Sequence, residues 1–129
     1  MPHIQIEYSA NLEGMTDISA LCHAVLKEAS QIEAFPVPGI RVRAIRADHY
    51  AIADGDAQHA FVDISVRLRE GRAAQVKQEA ISKIFGAAKD FLGPALATHS
   101  IALSAEMRDI DANLSPKYGT IRDHLESKA

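Results

Sequence analysis

The sequence predicts an α+β fold in which two β-α-β units build one four-stranded mixed sheet with two helices on one face. Three observations predict it. Apolar residues alternate with polar ones in several strand-length runs. Two longer stretches carry apolar residues at helical spacing. The resulting order, β-α-β and then β-α-β again, comes with an echo. Leu12-Glu13-Gly14-Met15 ahead of the first helix resembles Arg69-Glu70-Gly71-Arg72 ahead of the second, the mark of a weak internal duplication.

Each element follows from local pattern. Ile4, Ile6 and Tyr8 alternate with Gln5, Glu7 and Ser9, a period-2 strand. Asn11–Gly14 is a turn, and Thr16 or Asp17 caps a helix whose buried face is Ile18, Leu21, Cys22, Val25, Leu26 and Ala29. Phe35-Pro36-Val37-Pro38-Gly39 is too rich in proline to continue a helix. Ile40–Ala47 reads as a strand, Tyr50–Ala53 as its short hairpin partner and Asp54-Gly55-Asp56 as a turn. Val62, Ile64, Val66 and Leu68 mark another strand, and Val76 to Leu92 a helix that Gly93-Pro94 should end. Ser100–Met107 is the last long strand. After Asn113 a short helix would carry Tyr118, Ile121 and Leu125 on one side. The expected organisation is one domain over 1–129, with halves at about 1–56 and 57–112 and a tail over 113–129. Parallel strands within each half need helical crossovers. Apolar residues left on the other sheet face would then call for oligomerisation as cover.

Composition excludes several classes. With 47% hydrophobic and 24% charged residues the chain reads as an ordinary soluble protein. The formal net charge of −3 argues against a nucleic-acid partner. The start lacks a signal-peptide pattern, and no window approaches the roughly 20 apolar residues of a membrane span, so a cytoplasmic location is expected. A single cysteine, Cys22, rules out an internal disulfide and reads as a structural thiol. The six histidines include no HxH or HxxxH pair, so no metal site is expected.

Several blocks occur in order along the chain: Met1-Pro2-His3 opening directly into a strand, Phe35 to Arg43, Tyr50 with Ala53-Asp54-Gly55, Ala60-Phe61-Val62, and Gly71-Arg72. In these the chain resembles the tautomerase superfamily over nearly its whole length. Within that superfamily the resemblance is greatest to the 5-carboxymethyl-2-hydroxymuconate isomerase branch. It implies the tautomerase fold, a homotrimer of two-unit chains, a catalytic amino-terminal proline, no cofactor, and a role in aromatic catabolism (homoprotocatechuate or 4-hydroxyphenylacetate degradation).

Matched residue by residue to short-chain members, the first half supplies Pro2 and Arg41 but has Met15 at the turn where an arginine is expected. The second half supplies Arg72, has about Val62 where a proline would stand, and has Ile101 where the strand arginine would fall. The resemblance therefore implies one site per chain, with Pro2, Arg41 and Arg72 catalytic. Arg41, Arg72, Arg43, Phe35 and His3 are expected to bind substrate. Arg46, on the opposite strand face from Arg41 and Arg43, is read as structural.

The chemistry suits these residue types. A proline nitrogen is basic only at a chain terminus, so Met1 must be removed. Burial and neighbouring cations would lower the amine's pKa towards neutrality, where a general base works best. Guanidinium groups would grip substrate carboxylates in pairs of hydrogen bonds and stabilise charge on a developing carbonyl oxygen. The expected reaction is a proton shift along a conjugated hydroxymuconate. The alternatives are a phenylpyruvate-type keto-enol tautomerase and a non-enzymatic ferredoxin-like oligomeric binding domain.

Overall fold

The computed structural model describes residues 1–126. Strands run at His3–Ser9 (β1), Arg41–Ala47 (β2), His59–Arg69 (β3) and Ser100–Ile110 (β4). Helices run at Ile18–Ala29 (α1), Ala74–Phe91 (α2), Gly93–Thr98 (α3) and Ile121–Glu126 (α4). The strand order is β2-β1-β3-β4. β1 is parallel to β2, β3 is parallel to β4, and the two halves meet antiparallel where Ile6 faces Ile64. The expected four-stranded mixed sheet is therefore present.

Asp17 starts α1 as read from the sequence, its carboxylate accepting from the amide of Ala20 at 3.0 Å. Leu21, Val25 and Ala29 of α1 and Ala80, Ile84 and Ala88 of α2 are buried at helical spacing. They pack on Ile4, Ile6 and Tyr8 of β1 and on Val62, Ile64, Val66 and Leu68 of β3. Each fully buried aliphatic chain contributes roughly 1.5–3 kcal/mol, so this alternation fixes strand register: a slip of one residue would turn the whole apolar set outward. Among the described residues no helix is long and apolar enough to cross a membrane.

The structure corrects several expectations. Tyr50–Ala53 forms no strand. It belongs to a loop pinned elsewhere: the Tyr50 hydroxyl accepts from the Asn11 amide, and the His59 ring bridges Ser100 Oγ at 2.7 Å and Asp54 Oδ1 at 2.8 Å. As expected, α2 ends at Phe91 ahead of Gly93-Pro94, where proline fits the first turn of the separate helix α3. The expected short tail helix is α4, but Tyr118 lies before it; Tyr118 is 92% exposed, and Ile121 and Leu125 are also exposed. Ile101 packs towards the helices, whereas Arg41 lies on the opposite face, so the two positions do not correspond.

A last correction concerns that opposite face. By register it carries His3, Gln5, Glu7, Arg41, Arg43, Asp63, Ser65, Arg67, Arg69, Glu106 and Arg108, with Ile45, Phe61, Ala102 and Ile110 as scattered apolar members. It is mainly polar and charged, so apolar drive for covering it is confined to those scattered positions.

Away from the open face, the Tyr8 hydroxyl donates to Glu13 at 2.6 Å, a bond that with burial pushes Tyr8 up to about 12. Arg46 pairs with Glu13 and Asp48 on that side, the structural role its strand position implied. Gly71, at φ +110, turns the chain from β3 towards Arg72. A side chain there is strained, so Gly71→Ala is expected to destabilise the fold by about 1–3 kcal/mol. A lowered urea midpoint with an unchanged slope would register it; an unshifted midpoint would refute it.

Candidate active site

Pro2 is fully buried at the entry to β1, and Met1 is half-buried beside it. The proline-rich turn places Arg41 next to this point. Gly39 and Ile40 amides bond back to Pro36 and Val37, after which the Arg41 amide donates to the Pro2 carbonyl at 3.1 Å. The approach is close at Gly39: a Cβ there would lie 3.3 Å from Met1 Cα and 3.4 Å from the Pro2 ring, tight contacts that glycine avoids. The Arg41 guanidinium donates to the Gly39 carbonyl at 3.2 Å. It lines a cleft of about 290 Å³ with Met1, Pro36, Pro38 and Gly39, walled on its far side by Lys117–Gly119, Ile121 and Arg122.

A second cleft of about 350 Å³ lies on the other side of Met1, between His3, Arg67, Arg69 and Ile110 and the tail segment Leu114–Lys117. The two clefts share Met1 and Lys117.

The remaining predicted residues are placed as follows. Arg72 sits in the turn ahead of α2, not in its first turn, so the helix dipole acts on it less than the sequence implied. Its guanidinium donates to the carbonyls of Arg69 at 3.0 Å and Ala34 at 3.2 Å, tying this turn to the segment that leads into the proline-rich loop. Phe35 is 2% exposed and belongs to the core; its neighbour Pro36 lines the cleft instead. Arg43 meets His3 Nδ1 at 3.4 Å on the open sheet face, in a smaller hollow with Gln5, Ser65, Arg67 and Arg108.

The electrostatics are one-sided. Arg41, His3, Arg67 and Arg108 form a single row across all four strands. Like charges facing across strands are destabilising. His3, held below its ordinary pKa by burial and then by Arg67, Arg43 and Arg41, is the neutral spacer in that row. The Met1 amine is likewise held below its ordinary value, first by burial and then by Lys117, Arg72, Arg69 and Arg41. Every charge acting on it is positive. Lys117 and Arg69 were not singled out from the sequence. Arg69 has the strand parity of Arg67, a signal that needs the pairing of β3 with β1. Lys117 lies in a tail without periodicity and gives no such signal. Among the described residues no three His, Cys, Asp or Glu side chains converge as a metal site would require.

Two β-α-β units in one sheet, with the amino terminus half-buried among cations beside a cleft, define a tautomerase-fold isomerase. The profile of the family described as CHMI: 5-carboxymethyl-2-hydroxymuconate isomerase matches residues 2–125. The chain is 27% identical to the 5-carboxymethyl-2-hydroxymuconate Delta-isomerase of Escherichia coli over 94% of this chain and 96% of that protein. It superposes on a 5-carboxymethyl-2-hydroxymuconate isomerase from Deinococcus radiodurans R1 with a TM-score of 0.87 and 30% identity, covering 96% of this chain and 93% of that one. A fused 4-OT symmetric trimer, at 20% identity and a TM-score of 0.68 over 92% of this chain and 94% of that one, shares the fold. The chain belongs to the 5-carboxymethyl-2-hydroxymuconate isomerase family.

Proposed function

We propose that the protein isomerises 5-carboxymethyl-2-hydroxymuconate, with the secondary amine of Pro2 as the proton carrier once Met1 is removed. The neutral amine accepts the enol hydroxyl proton as the carbonyl forms. The resulting ammonium returns a proton to a carbon of the same conjugated system. Nothing is oxidised or reduced, and the amine is regenerated. Arg41 grips a carboxylate of the bound dienol and stabilises charge on the forming carbonyl oxygen. Arg72 adds positive potential and, through its bond to the Ala34 carbonyl, holds the proline-rich loop in place. His3, kept neutral, and Arg43 border the site on the sheet face. Phe35 supports it from the core.

The observation that carries this reading is the setting of the chain start: Pro2 is buried with the Arg41 amide bonded to its carbonyl, and the Met1 amine one residue before it is lowered by partial burial and four cations, the surroundings the Pro2 amine meets once Met1 is removed. The test is ultraviolet absorbance of the dienol mixed with processed protein. Loss of the dienol band at a rate proportional to enzyme is the expected result; an unchanged band would sink the reading.

We further propose a homotrimer acting on a small anion in the cytoplasm, without a nucleic-acid or membrane partner. The support is the fold shared with a trimeric protein and the exposure of Leu114, Tyr118, Ile121 and Leu125 on the tail. Light scattering should give three times the 14.0 kDa chain mass; a monomer at micromolar concentration would refute it.

A further inference from the structure

We propose that Lys117 is the specificity residue of this site, its ammonium taking the side-arm carboxylate of a tricarboxylate dienol. This rests on the isomerase reading above and adds which part of the substrate the tail recognises. 5-Carboxymethyl-2-hydroxymuconate has a carboxylate at each end of its conjugated chain and a third on the carboxymethyl branch.

The site draws positive charge from the sheet and from the tail. Arg41 lies in one cleft and Arg67 with Arg69 in the other. These three stand on the sheet, at positions fixed by strand pairing. Lys117 and Arg122 lie beyond β4, after both β-α-β units are complete; Arg122 lines only the Arg41 cleft, whereas Lys117 lines both. Once Met1 is removed, Lys117 is the residue the two clefts still share, so a ligand reaching from one cleft to the other passes it. The carboxymethyl arm leaves C5, next to the C6 carboxylate, so it calls for a cation of its own beside a strand-held end.

Lys117 forms no ion pair or side-chain hydrogen bond with another described residue, so its charge is not already neutralised within the chain. Pro116 precedes it and restricts the backbone that presents it. A flexible point charge suits a carboxylate on a rotatable methylene arm, while planar guanidinium suits the rigid conjugated ends.

Kinetics on two substrates test this, with Lys117→Ala, Lys117→Arg and the parent protein. One substrate is the tricarboxylate; the other is 2-hydroxymuconate, which lacks the arm. Assays run well above the acid limb of the pH profile, so the amine's titration does not enter. Lys117→Ala is expected to raise KM for the tricarboxylate about 10- to 100-fold with kcat little changed. On the dicarboxylate kcat/KM should move less than about threefold, and Lys117→Arg should restore most of the tricarboxylate affinity. Equal losses on both substrates, a loss confined to kcat, or no change at all would overturn the assignment. A parent protein inactive on both substrates would instead remove the isomerase reading beneath it.

Discussion

Protein that retains Met1 is expected to be inactive, with kcat/KM at least about 1,000-fold below that of the processed chain, because a lost general base alone costs up to about 10,000-fold. With Met1 in place the Pro2 nitrogen is an amide and holds no basic lone pair. Met1 supplies its own amine, but one residue away, and consecutive Cα atoms are about 3.8 Å apart. The Arg41 amide bond to the Pro2 carbonyl holds the chain start against β2, which opposes a shift of the terminus to compensate. Intact mass sorts the two species and ultraviolet kinetics compares them. Processed Pro2→Ala, which keeps a terminal amine but loses the ring, should lose about 100-fold in kcat. The pH profile gives the sign. The base must be neutral, so kcat/KM falls as pH drops through the amine's pKa. The cations that lower the Met1 amine, Lys117, Arg72, Arg69 and Arg41, stand one residue from the Pro2 nitrogen, and the same surroundings are expected to favour its neutral form after processing and move that limb to lower pH than for a free prolyl amine. Full activity in Met1-retaining protein would mean that another group moves the proton.

Much of this arrangement was legible in the sequence because one physical rule wrote it. Burial of one sheet face imposes a period of two, so Ile4, Ile6 and Tyr8 and the run Val62 to Leu68 announce their strands and their inward sides. The same rule gave Arg41 and Arg43 a common face and Arg46 the other. It is silent on what a polar face does. The basic row of Arg41, His3, Arg67 and Arg108 comes from pairing four strands that are remote in sequence, and no local window contains it. Phe35 was misplaced because the proline-rich turn after it is local, whereas its burial depends on how that turn folds back on the helices. Tyr50–Ala53 has strand-like composition but meets no partner edge, since its loop is held by His59, Asp54 and Ser100. Lys117 could not be found from pattern at all. The tail's place over the amino terminus follows from where β4 ends, next to the end of β3, which in turn faces the start of β1, rather than from any motif within residues 113–126.

Arg41→Ala should produce the second large effect, a fall in kcat/KM of about 100- to 1,000-fold, in line with the loss of one charge-assisted carboxylate clamp and one oxyanion donor. The fold should survive. The link from β2 to the terminus is the Arg41 backbone amide on the Pro2 carbonyl, which alanine keeps, and the guanidinium's described bond is to the nearby Gly39 carbonyl. What alanine removes is the strand-borne cation in the cleft that Pro36, Pro38 and Gly39 wall. Both KM and kcat should worsen, since the carboxylate is held in the ground state while the carbonyl charge develops later. Arg41→Lys should recover less than about tenfold, because a point charge replaces a planar pair of donors. Arg43→Ala is the comparison: its guanidinium faces His3 in the hollow on the sheet surface, outside the cleft that Arg41 lines, and its loss should cost only a few-fold. Steady-state kinetics on the three variants, with circular dichroism to confirm folding, decides the matter. If Arg41→Ala stays within threefold of the parent while Arg43→Ala collapses, the substrate sits on the open sheet face and not in the cleft beside the terminus.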